Sequence, residues 1–381
     1  MTIFRKHYLV LLVGLTIVLL TACRVDDPVI WPTKTSVGTA DSITHIIGFY
    51  LLNEGNMGSN KATLDFYDYR TATYSKNIFP SRNPNIVSEL GDVGNDLQIY
   101  GNRLYAVINA SNTVEVMDAQ TAQHIGEIYI PNCRYITFQG HRAYVSSYAG
   151  PVQLGNTQLG YVAEIDTATL TITRTVTVGP QPEEMAIVDG LLYVANSGGY
   201  SIGNYDNTVS VIDLDAFEEL RKIEVAINPH RLKTDQYGDI YVSSRGDYYE
   251  QASNLWVIDS KTQAVKGHFD IGCSNFCIVG DSAYVFSYDY DKASGATSVA
   301  YALVDVKNEL VVSRQFITDG TDAKIKVPYG IAVNSFTGEI LVSDAKTYVV
   351  PGTLYCFSSS GVLQWQVTTG DIPAHIAFLK K

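Results

Sequence analysis

Short apolar runs rich in β-branched and aromatic residues recur along the chain, and none extends into a long 3.6-residue pattern, so the sequence predicts strands throughout. One strand repeats. Phe49-Tyr50-Leu51-Leu52, Leu104-Tyr105-Ala106-Val107, Ala143-Tyr144-Val145, Leu192-Tyr193-Val194, Ile240-Tyr241-Val242, Ala283-Tyr284-Val285 and Ile340-Leu341-Val342 are seven versions of one element. Most copies are followed by a polar loop and a strand ending near an aspartate, as in Thr208-Val209-Ser210-Val211-Ile212-Asp213. Next come a turn such as Asp166-Thr167-Ala168-Thr169, whose side chains bond nearby backbone groups, and an outer strand such as Ile172 to Val178. A short motif then opens another apolar strand: Gln181-Pro182-Glu183-Glu184-Met185, Asn228-Pro229-His230-Arg231-Leu232, Val327-Pro328-Tyr329-Gly330-Ile331 and Ile372-Pro373-Ala374-His375-Ile376.

Four strands per unit, seven units and no long helix predict an all-β chain, a seven-bladed β-propeller. One four-stranded sheet cannot bury both faces, so stacking around an axis must supply the core. A flat sandwich fits seven copies of one unit poorly. The last copy stops after Ile376-Ala377-Phe378-Leu379, whereas the first lacks that strand and starts at Ile46. The C-terminal strand is therefore expected to join the N-terminal blade and close the ring. Phe217 to Arg221 is expected to form a helical turn without altering this class.

The N-terminus departs from the repeat. Arg5 and Lys6 precede an uncharged run from Tyr8 to Leu20, which ends in Leu20-Thr21-Ala22-Cys23. These are the basic, apolar and small-residue parts of a signal peptide, and the run is shorter than the roughly 20 apolar residues that a span needs. The site resembles the lipobox of bacterial lipoproteins, which implies cleavage before Cys23 and lipidation of Cys23. The expected organisation is a signal peptide over 1–22, lipidated Cys23 and a flexible tether over 23–42, and the propeller over 43–381. Cys23-Arg24-Val25-Asp26-Asp27 looks like the acidic signal of lipoproteins displayed by some anaerobes, implying an outer-membrane, lipid-anchored, surface-exposed protein.

Net charge is -12, and loss of Arg5 and Lys6 makes the mature chain more acidic. No basic stripe is offered to phosphates, which excludes nucleic-acid binding. Besides Cys23 there are Cys133, Cys273, Cys277 and Cys356, which read as buried free thiols. In one strand Cys273 and Cys277 would share a face yet lie too far apart for a disulfide.

Candidate binding residues gather in two loop sets that open on one face of a propeller: those between second and third strands, and those entering the innermost strands. They are Asn53, Glu54, Asn109, Arg134, Tyr135, Tyr148, Glu183, Asn196, Tyr200, His230, Arg231, Arg245, Tyr248, Tyr249, Asn275, Phe276, Tyr288, Tyr290, Tyr329, Tyr348 and His375. Tyrosine supplies rigid contact area with a polar tip and asparagine supplies adaptable hydrogen bonding, the makeup of a recognition surface. The 26 tyrosines do not carry this reading by number, because many belong to the repeated strand.

No Gly-x-Ser-x-Gly elbow, His-Glu-x-x-His pair or phosphate-cradling glycine loop occurs. Glu183 and Glu184 form a carboxylate pair, but adjacent strand residues point opposite ways and favour anchoring over acid/base work. Asp289-Tyr290-Asp291 with Gly295 lacks the spacing and closing glutamate of a calcium loop. His230 and His375 can meet across the channel, but a metal needs a third ligand. No catalytic residue, metal or resident cofactor is expected.

Leu51-Leu52-Asn53-Glu54-Gly55-Asn56-Met57-Gly58-Ser59-Asn60, with Leu64-Asp65-Phe66-Tyr67-Asp68, resembles the N-terminal signature of the YncE-like propeller lipoproteins of gut anaerobes, and the likeness runs from Ile46 to Leu379. In that family the BtuG-type proteins bind cobamides, vitamin B12 and its relatives, and cap a TonB-dependent outer-membrane transporter. The resemblance implies cobamide as transported ligand and that transporter as partner. A glycan- or protein-binding surface propeller remains an alternative, as does a lactonase- or lyase-type enzyme using Glu183, His230 and His375.

Overall fold

A blade's middle strands are covered on both faces by neighbouring blades, so they read as continuous apolar runs, while outer strands alternate. Asp239–Ser244 and Ile340–Asp344 are buried at every position, whereas His124–Tyr129 alternates towards solvent. The computed structural model describes residues 30–41, 45–86, 89–151, 154–155 and 158–381; the expected signal peptide and Cys23 lie outside the described residues.

Seven antiparallel sheets form the seven blades, six of four strands and one of five. Blades II to VI run outward from innermost strands Gly94–Tyr100, Cys133–Gln139, Pro182–Val188, Pro229–Thr234 and Asn275–Val279, and blade VII from Pro328–Val333. In blade I the innermost strand is the C-terminal Pro373–Lys380, paired with Ile46–Asn53 so that Tyr50 faces Ala377 and Leu51 faces Ile376. The ring closes as expected.

Neighbouring blades share each core cluster. Tyr105, Val107 and Val116 of blade II pack with Ile136, Val145 and Ala163 of blade III, and Tyr193 and Val209 of blade IV with Leu232 and Val242 of blade V. The tyrosine of the repeated strand has a second task. The hydroxyls of Tyr50, Tyr193 and Tyr241 donate to the carbonyls of Ala119, Ser260 and Val306, each the residue after the aspartate that ends the next blade's third strand. A buried hydroxyl must find a partner, and here the partner ties one blade to the next.

Two expectations change. Thr33–Ser36, within the stretch expected to be tether, pairs with Thr73–Lys76 as a fifth, fully exposed outer strand. Glu218–Glu224 is a strand rather than a helical turn. The Asp213 carboxylate accepts the N–H groups of Asp215 and Ala216, and Phe217 takes φ 57°, so the chain turns back onto Thr208–Asp213.

Candidate functional site

The innermost strands share one entrance. Val93, Asn132, Gln181, Asn228 and Ile372 take positive φ immediately before or beside the strand start, a region that side-chain-bearing residues rarely occupy. Their carbonyls accept the N–H groups of Asn109, Tyr148, Ser197, Arg245 and Glu54, which follow or end the second strands. Each entrance is thereby locked to the loop beside it. Serines of the second strands extend the lock between blades: Ser146 Oγ accepts from Tyr135 N–H and donates to the Glu183 carbonyl, and Ser343 Oγ links Gly330 to Pro373 in the same manner.

These entrances bring charged side chains together at the axis. Glu183, fully buried, accepts from Arg134 Nη2 at 3.0 Å, Arg245 Nη1 at 3.2 Å and the Tyr148 hydroxyl at 2.6 Å. Burial works to raise its carboxyl, but the Arg134 and Arg245 charges outweigh that and hold it below the usual range. Glu184 turns the other way, to Lys233 Nζ at 2.7 Å and Leu232 N–H at 3.1 Å. The pair is thus two separate anchors. His230 Nε2 meets the Tyr135 hydroxyl at 2.9 Å and Arg245 Nη2 at 2.8 Å. Arginine can only donate, so Nε2 accepts and the proton rests on Nδ1. Burial first, then the Arg245, Arg231 and Arg134 charges, push this imidazole well below its ordinary range and keep it neutral.

His375 also meets the Tyr135 ring edge to face, its Nε2 3.4 Å from Glu54 Oε1 and its Nδ1 3.8 Å from Asp96. The Tyr329 hydroxyl donates to Glu54 Oε2 at 2.9 Å. Burial raises the Asp96 carboxyl. No three His, Cys, Asp or Glu side chains converge as a metal-ligand set among the described residues.

Beside the axis, blades V, VI and VII and their loops enclose a cavity of about 530 Å³. Six tyrosines line it, Tyr248, Tyr249, Tyr288, Tyr290, Tyr329 and Tyr348, with His230, Arg231, Arg245 and Asn275. Tyr248 and Tyr348 hold φ 65°, a strained backbone for an aromatic residue that persists only where its surroundings fix it. Apolar walls with a few placed polar groups are the usual composition of a small-molecule pocket.

The remaining candidates are structural or axial. Asn53 bonds Thr63, Asn109 bonds Asn132 and the Cys133 carbonyl, and Asn196 bonds Thr208, Ser210 and Gly179. Phe276 is fully buried in the core beside Cys273 and Val285, so it belongs to packing rather than to the loop face. Tyr148 and Tyr200 meet edge to face, 6.3 Å apart, next to the Glu183 cluster. Lys292 is not among the residues that loop composition singles out, yet its ammonium lies 4.9 Å from the Tyr248 ring centre and 5.3 Å from that of Tyr249. Its place directly after Asp289-Tyr290-Asp291 was the available signal. Cys133, Cys273, Cys277 and Cys356 are free thiols.

The profile of the family described as "Domain of unknown function (DUF5074)" matches residues 47–366. No curated protein matches the chain. Among solved structures, the chain is similar to a quinoprotein alcohol dehydrogenase-like protein of Bacteroides thetaiotaomicron, at 16% identity and TM-score 0.60, over 88% of this chain and 79% of that one. A 6-phosphogluconolactonase-like protein of Bacteroides fragilis matches at 12% identity and TM-score 0.58, over 89% of this chain and all of that one. Hydrazine synthase of Kuenenia stuttgartiensis matches at 16% identity and TM-score 0.53, over 70% of this chain and 76% of that one. At such identities the likeness establishes the propeller fold alone.

Proposed function

We propose that this chain, which belongs to the DUF5074 family, is a capture protein: it binds a broad small molecule at the tyrosine-lined cavity and hands it on without a chemical step. The observation that carries the reading is the cavity itself, with six tyrosines held on interlocked loops. The ligand implied by the resemblance of the Leu51 to Asn60 stretch is a cobamide, delivered to a TonB-dependent outer-membrane transporter by a protein lipidated at Cys23. A cobamide exceeds the cavity, so one edge would seat among the tyrosines and the flat corrin would lie across the mouth.

The axial carboxylates support capture over catalysis. Glu183 is committed to two arginines and Glu184 to a lysine and a backbone N–H, which leaves neither as a free proton carrier.

Calorimetric titration of the full-length protein in mild detergent with cyanocobalamin, and then with the truncated precursor cobinamide, tests the proposal. Saturable binding at micromolar protein is expected. An absence of heat with both compounds would overturn the cobamide assignment and move glycan or protein recognition to the front.

A further inference from the structure

Arg231 is a buried cation that makes no ion pair among the described residues, although the Glu184 and Glu54 charges act on it from further off. It is 7% exposed, its Nε has no hydrogen-bond partner, and it lines the tyrosine-rich cavity. The neighbouring carboxylates are engaged elsewhere: Glu183 with Arg134 and Arg245, Glu184 with Lys233, and Glu54 with Tyr329 and His375. Asp289 and Asp291 also line the cavity, and Asp291 is taken up by Ala293 N–H and Ser294 Oγ; none of these acids makes an ion pair with Arg231 among the described residues. The guanidinium carbon lies 5.2 Å from the Tyr135 ring centre, a contact that fixes the group without satisfying its N–H edge.

His230 repeats the deficit. It is 7% exposed, its Nε2 is occupied as an acceptor, and its Nδ1, which carries the proton, has no partner. Both residues therefore line one cavity, and each carries a buried donor atom with no hydrogen-bond partner among the described residues. Leaving such groups unpaired is costly, and a propeller with carboxylates so near could have paired them.

We infer that Arg231 forms an oxyanion-recognition subsite in the cavity wall, and that the captured ligand presents a phosphate or carboxylate group there while its flat apolar part lies against the tyrosines. Guanidinium suits this task because its fork matches the spacing of two such oxygens. The inference rests on the cavity being the binding site, but not on the ligand being a cobamide.

The test uses phenyl phosphate, benzoate and the neutral benzamide, titrated by calorimetry into the full-length protein and its Arg231→Gln and Arg231→Lys variants. Expected is saturable binding of at least one anion, weakened about tenfold or more in Arg231→Gln, partly restored in Arg231→Lys, and absent for benzamide. Equal affinity of the anions for the protein and for Arg231→Gln, or no saturation by either anion at millimolar concentration, would overturn the subsite. Should Arg231→Gln fail to fold, the unaltered protein decides: phenyl phosphate must raise its melting temperature above that in sodium chloride of equal ionic strength, and equal melting temperatures would refute the inference. Anion binding with no cyanocobalamin binding would uphold the subsite and discard the cobamide. Cyanocobalamin binding with no dependence on Arg231 for any anion would do the reverse.

Discussion

Leu52 and His375, from opposite ends of the chain, are register partners in one antiparallel pair, which places the His375 imidazole at the axis beside Glu54 and Asp96. Closure of the ring and assembly of this axial His375–Glu54–Asp96 cluster are therefore one event. A chain that ended before Pro373 would leave Ile46–Asn53, almost entirely buried in the intact ring, as an open sheet edge. Truncation there is expected to abolish cooperative thermal unfolding and promote aggregation, read by calorimetric melting and light scattering. Among the described residues, removal up to position 36 takes away the exposed outer strand and the three residues before it, which is expected to cost no more than about 1 kcal/mol.

Leu379 is 3% exposed and packs with Tyr50, Leu52 and Leu104 across the boundary between blades I and II. Leu379→Ala is expected to destabilise the protein by about 2–5 kcal/mol in urea denaturation. A change within about 0.5 kcal/mol would mean that the seam contributes little.

Glu183 is the fully buried carboxylate that bridges the partly buried Arg134 and Arg245, so Glu183→Gln leaves both guanidinium groups without it and should cost up to about 3–5 kcal/mol. Its folded-state pKa lies below the unfolded value of about 4.3. The stabilisation is thus fully present above that unfolded value and is lost as pH falls through the folded one. Urea midpoints measured from about pH 6 downward should decline more steeply for the unaltered protein than for Glu183→Gln; parallel curves would show that this carboxylate is not the group titrating.

Burial pushes the Cys133 and Cys277 thiols up to about 12, and raises those of Cys273 and Cys356 as well. Thiolate is the reactive form, so the buried Cys133, Cys273 and Cys356 should resist maleimide at about pH 8 in the folded protein, the half-buried Cys277 should react slowly, and all four should react once urea unfolds it. Mass spectrometry counts the adducts. A fast-reacting fifth thiol would mean that Cys23 carries no lipid.

If the tyrosine cavity is the contact surface, Tyr290→Ala and Tyr348→Ala should each weaken capture of cyanocobalamin about tenfold or more, as truncation of an interfacial aromatic anchor does. Tyr100→Ala, which removes a ring stacked on Phe138 outside the cavity, should leave affinity unchanged. Equal effects from all three would point to general destabilisation.

The fold was legible because the propeller writes itself seven times. Most second strands are buried on both faces, so the Leu-Tyr-x-Val signature of Leu104 to Val107 and its counterparts survives as a continuous apolar run. The missing strand in the first copy and the surplus strand in the last specify the closure that the Ile46–Asn53 and Pro373–Lys380 pairing makes. Thr33–Ser36 was not legible, because an exposed edge strand carries no burial pattern and is held by backbone pairing alone.

The candidate site divides along the same line. Strand periodicity and loop order, which are local, placed His230, Arg231, Arg245 and the loop tyrosines on one face. Which of them are spent on one another is not local: Glu183 could have met any cation at the axis, and only the ring brings Arg134 from one blade and Arg245 from another to it. The sequence by itself determined seven blades, their order and the side that carries the loops. The tertiary structure alone decided that Glu183 is neutralised, that Phe276 is core, and that Arg231 and His230 are left with donors to spare, because those outcomes depend on angstrom-scale distances between residues that the chain order keeps far apart.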